Sequence, residues 1–107
     1  MKTSDQVRTF RSDLLAAGFT HSGGPGQLVR QASPVRWLFV RTDFVDGRYQ
    51  LTVYTRERGE TGSRIGAHFM TVGHDTCLED VRDALLHWDG GVSWPPYAEF
   101  RPTLRRL

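Results

Sequence analysis

The 107-residue chain has one cysteine, Cys77, and one lysine, Lys2. A lone cysteine can neither close an internal disulfide nor supply a Cys-rich metal site, which excludes zinc-finger architectures and fits a reducing compartment. No apolar run approaches the roughly 18 residues that cross a bilayer, and the segment from Met1 to Phe10 is too polar for a secretory leader, so a cytoplasmic location without membrane contact is expected. There is little proline outside Pro25 and the C-terminal stretch, no low-complexity tract beyond Gly23-Gly24-Pro25-Gly26, and no internal repeat. The expected organisation is one small domain over 1–107, with 92–107 an extended Pro- and aromatic-rich tail packed on the body. Apolar residues make up 38% of the chain, enough for a core although leaner than usual.

With a single lysine among its fourteen basic residues, the chain takes nearly all its positive charge from arginine. GC-rich coding explains such a bias. So does selection for the planar, bidentate and stacking contacts that an ammonium group cannot reproduce. Twelve acids are interspersed with the arginines and the formal net charge is only +2, so the lopsided balance of a strong nucleic-acid or membrane binder is missing.

Val7, Phe10, Leu14 and Ala17 recur at three- and four-residue steps, predicting a helix from about Asp5 to Ala17. Thr3 or Ser4 is its expected cap, and Gly18-Phe19 its left-handed stop, with Phe19 folding back on Leu14. The glycines at 23–26 follow a helix and precede a possible short strand over 27–31, the reverse of the order a phosphate loop requires, and read as a connector. A turn is expected at Ser33-Pro34. Two β-rich runs then flank Asp46-Gly47, a pair suited to a two-residue type I′ turn. Such a turn sets the register: Phe44 opposite Tyr49, Thr42 opposite Leu51, Val40 opposite Val53 and Leu38 opposite Thr55 on a core face. The other face then pairs Trp37 with Arg56, Phe39 with Tyr54, Arg41 with Thr52 and Asp43 with Gln50.

Residues 58–63 read as a polar loop and 64–73 as a third strand, with Ile65, Ala67 and Phe69 inward and His68 and Met70 beside the aromatic face. Thr76 and Glu79 fit a capping box ahead of the stripe Leu78, Val81, Leu85 and Trp88, a second helix stopping at Gly90-Gly91. Trp94-Pro95-Pro96-Tyr97 and Phe100 belong to the tail, with Arg101, Arg105 and Arg106 toward solvent.

These elements predict an α+β two-layer sandwich: a three- to four-stranded antiparallel meander with two helices on one face, in the order α-(β)-β-β-β-α plus tail. Double-stranded-RNA-binding domains share that order. Their Lys-rich start of the second helix is here Cys77, Leu78, Glu79, Asp80 and Asp83, which would repel phosphate, so the likeness stops at element order and implies no membership.

Catalytic signals are sparse. Cys77 near a helix start, with His74 and Asp75 just before it, is the sole feature resembling an activated nucleophile, and a buried structural thiol explains it better. His21, His68, His74 and His87 follow no ligand spacing, and Glu79, Asp80 and Asp83 match the preference of acids for a helix N-terminus. No metal, cofactor or enzymatic activity is expected. A Cys77-dependent enzyme is the remote alternative.

The feature left over is the sheet face carrying Trp37, Phe39, Arg41, Arg48, Tyr54 and Arg56. Trp, Tyr and Arg dominate interface hot spots, so the expected function is a non-enzymatic protein-binding module, of the accessory or modulator kind common among phages and GC-rich bacteria. Homodimerisation through the same face belongs to this class. The alternative is single-stranded nucleic-acid binding, with bases stacking on the aromatics. In a third reading the face is occupied internally, by a cation–π contact between Trp37 and Arg56 and by the tail.

Overall fold

The computed structural model describes residues 3–23, 26–45, 48–59, 62–72, 78–88 and 105–106. Helix α1 spans Thr3–Ala16 and helix α2 Leu78–His87. The strands are β1 (Thr20–His21), β2 (Gln27–Ser33), β3 (Arg36–Val45), β4 (Arg48–Gly59), β5 (Gly62–Val72) and β6 (Arg105–Arg106). They form one sheet in sequence order, antiparallel at each junction. The α+β meander with two helices is therefore as expected, and two-residue strands extend it at both edges.

Helix α1 ends because Gly18 takes a φ of 110°, the left-handed region in which a Cβ is strained. The Phe19 N–H donates to Leu14 O at 3.0 Å and the Gly18 N–H to Leu15 O at 3.2 Å, the paired bonds of a Schellman stop. Val7, Phe10, Leu14 and Phe19 are buried, whereas Ala17 is exposed because the chain has already left the helix there. Both expected caps, Thr3 and Ser4, lie within the first turn of α1 rather than ahead of it.

The β3–β4 register matches the expected one pair for pair, from Trp37↔Arg56 to Val45↔Arg48. Residues 46 and 47, the expected turn, lie outside the described residues. So do the Thr76 cap, the Gly90-Gly91 stop, Cys77, His74, Asp75 and the 92–107 tail apart from β6. On the core face, Leu28, Val40 and Val53 line up across β2, β3 and β4, flanked by Leu38 and Leu51. Helices α1 and α2 cover this face, and Val81, Ala84, Leu85 and Trp88 complete one buried cluster with it. Complete burial of a Leu or Phe side chain contributes about 1.5–3 kcal/mol, so this layer is the main source of stability.

Two expectations about the third strand need correction. The segment 58–63 is largely strand: β4 runs on to Gly59 and β5 begins at Gly62, since polar residues extend a ladder readily once its register is set. Phe69 pairs with Val53, His68 with Tyr54 and Met70 with Thr52 as expected, but Ile65 pairs with Arg56. A bulge between Tyr54 and Arg56 breaks the alternation, so Ile65 and Phe69 do not share a face. The reason is at Gly66, where a Cβ would lie 2.6 Å from Thr55 Oγ1 and 3.0 Å from Glu57 Oε1. A side chain at that position would therefore force the Thr55 and Glu57 side chains to move.

Candidate interaction face

On the sheet face opposite the helices, Phe39 and Tyr54 are cross-strand partners with ring centroids 4.9 Å apart and planes 5° from parallel. Such a pair stands upright on the sheet, each ring spending one face on the other. The Tyr54 hydroxyl accepts a hydrogen bond from Gln27 Nε2 at 3.1 Å, which ties β2 to the pair. Trp37 lies two residues along β3 on the same face, and the Arg58 guanidinium sits 5.6 Å from its ring centroid. The expected cation–π partner was Arg56, which pairs with Trp37 in the ladder and has an interaction of its own. Strand twist and the longer diagonal reach favour Arg58, a residue whose role the sequence did not disclose.

Of the six expected site residues, Trp37, Phe39, Tyr54 and Arg56 are half-buried and Arg41 is exposed. Arg48 takes its place in the ladder opposite Val45. Arg41 Nε lies 3.0 Å from Asp43 Oδ2, which offsets that arginine's charge locally, as expected for an acid on the same strand. Arg58 is exposed, with no acidic partner among the described residues. Its backbone N–H donates to Val35 O at 2.8 Å, so the Trp37–Arg58 stack sits next to Val35, which is 51% exposed and the most open large apolar side chain among the described residues.

The helix-covered face holds an arginine that periodicity did not single out. Arg30, opposite Leu38 in the ladder, reaches the C-terminal end of α2, where its Nη2 donates to Leu85 O at 3.0 Å and Trp88 O at 3.1 Å. Carbonyls at a helix C-terminus lack intrahelical donors as a rule, and a cation there also complements the helix dipole. The guanidinium also packs 5.5 Å from the Phe19 ring centroid. Burial draws its pKa below the usual guanidine value, and its Nε is buried without a hydrogen-bond partner among the described residues. Between the helices, Arg82 Nη1 binds Asp13 Oδ2 at 2.6 Å while its Nε binds Asp83 Oδ1 at 3.0 Å, and these bonds raise its pKa. Both arginines have structural jobs.

Among the described residues no three His, Cys, Asp or Glu side chains converge on a point that could hold a metal. Among the described residues no helix is long and apolar enough to cross a membrane. Comparison with protein-family models, with curated proteins and with solved structures finds no match to this chain.

Proposed function

We propose that this chain is a non-enzymatic protein-binding module, an accessory or modulator domain that docks its partner on the aromatic and arginine face of the sheet. The observation that carries this reading is how the rings are used. Phe39 and Tyr54 face one another at 4.9 Å, and the Arg58 guanidinium lies over Trp37. Base recognition on a sheet needs ring faces open for stacking, and here three rings have a face already occupied. What the face offers is a firm apolar ridge, edged by guanidinium groups. Rigid aromatic anchors beside arginine are the usual make-up of a protein–protein hot spot. Single-stranded nucleic-acid binding is the second reading, and the same chain in a second copy is a candidate partner.

The test uses wild type and Tyr54→Ala as paired baits, with the captured partner then reconstituted from purified components. The expected result is a partner that binds wild type and loses at least about tenfold in affinity with Tyr54→Ala, the loss of one hot spot. Light scattering reports whether that partner is a second copy. A random single-stranded oligonucleotide that quenches Trp fluorescence more strongly at low salt would decide instead for nucleic acid.

A further inference from the structure

The Trp37–Arg58 stack carries an inference about what the partner looks like, and it rests on the docking reading above. A guanidinium that meets an indole through a cation–π contact still has N–H donors to offer, and the guanidinium fork matches a carboxylate. Arg58 is exposed and has no acidic partner among the described residues, in contrast to Arg36, Arg41 and Arg82, which hold Glu57, Asp43 and Asp13. Among the side chains described on this face, Arg41 is held by Asp43, whereas the Arg58 guanidinium is exposed beside Trp37 with no described acid to offset it. Packing against Trp37 also restricts the arginine's rotamers, which lowers the ordering cost of a bidentate contact. Trp37 and Phe39 are alternate residues of β3, about 6.6 Å apart along the strand. That is also the spacing of alternate residues in an extended peptide laid alongside.

We infer that Arg58, stacked on Trp37, is a carboxylate-recognition site, and that the partner docks through an acidic segment pairing a Glu or Asp with an apolar side chain two residues away. The carboxylate takes the Arg58 fork, and the apolar side chain lies on the Phe39–Tyr54 ridge.

The probe is a capped, labelled peptide of repeated Glu-Glu-Leu-Leu units, whose extended form shows Glu and Leu alternately on each side, read by fluorescence anisotropy against its Gln-for-Glu analogue. The full chain is expected to bind the Glu peptide at least about tenfold more tightly than the Gln peptide, with the preference shrinking as salt rises. Arg58→Gln removes the preference, and Arg58→Lys, which keeps the charge but not the planar fork, restores only part of it. Circular dichroism melts confirm that each variant is folded. Equal binding of the two peptides, an unchanged preference in Arg58→Gln, or no binding of the Glu peptide at about millimolar concentration would overturn acid recognition. Each of those results leaves the docking surface itself to the Tyr54→Ala experiment, so the two readings fail separately.

Discussion

Arg30 and Gly66 are single residues whose roles depend on what lies beyond their own strand. Arg30 donates to Leu85 O and Trp88 O from a strand far from α2 in sequence, against the cost of desolvating its charge. Losing these two charge-assisted hydrogen bonds outweighs the relief of removing the guanidinium, because a hydrogen bond to a charged group contributes about 1.5–3 kcal/mol. Arg30→Met is therefore expected to lower stability by about 1–3 kcal/mol in urea unfolding, with Arg30→Lys recovering part through the helix dipole. Equal stability for Arg30→Met would show that desolvation cancels the cap. At Gly66 the constraint is space, with Thr55 Oγ1 at 2.6 Å from where a Cβ would be. Gly66→Ala is expected to cost about 1–3 kcal/mol, and distinctly less in a Thr55→Ala background, because the close atom is then gone. An unchanged cost in that background would mean the strain lies in the backbone of the bulge instead.

At the scale of elements, the two helices contact the sheet through apolar stripes and one another partly through Asp13 and Arg82. The ion pair is short but partly solvated, at 38% and 26% side-chain exposure, so screening keeps its contribution small. A double-mutant cycle of Asp13→Ala and Arg82→Ala is expected to give a coupling of about 0.2–1 kcal/mol that fades in salt. A much larger, salt-insensitive coupling would mean that the pair fixes the packing angle of α1 on α2. The β3–β4 hairpin was legible residue by residue because a two-residue connection leaves one register, and period-two alternation then sorts each side chain to a face. The third strand was legible only as far as its bulge. The alternation of Ile65, Ala67 and Phe69 carries no mark of the point where Gly66 lets two residues span Thr55.

Across the whole molecule, the helix-covered face and the aromatic face answer to different tests. Leu51 is fully buried in the core cluster, so Leu51→Ala is expected to destabilise by about 2–5 kcal/mol through lost burial and a cavity. Trp37→Ala and Tyr54→Ala remove half-buried rings from the opposite face and are expected to leave a cooperative unfolding transition while weakening partner binding. Thermal melts alongside the binding assay check both. Unfolding of Trp37→Ala would mean that the aromatic face is part of the fold's own stability, as the third reading of the sequence has it.

Sequence alone determined the two helices, the α1 stop, the hairpin register and which of its residues face the core, because hydrophobic period, glycine and a two-residue turn are local signals with one geometric outcome. It also set out the aromatic and arginine face as a row of residues. Tertiary structure decided which arginine does what: Arg58 rather than Arg56 on Trp37, Arg30 on the end of a helix far along the chain, and Arg82 on Asp13. An arginine side chain is long enough to reach several neighbours from one backbone position. Its partner is therefore chosen by strand twist, by helix placement and by which carbonyls and carboxylates are left without a donor, and none of these can be read from spacing.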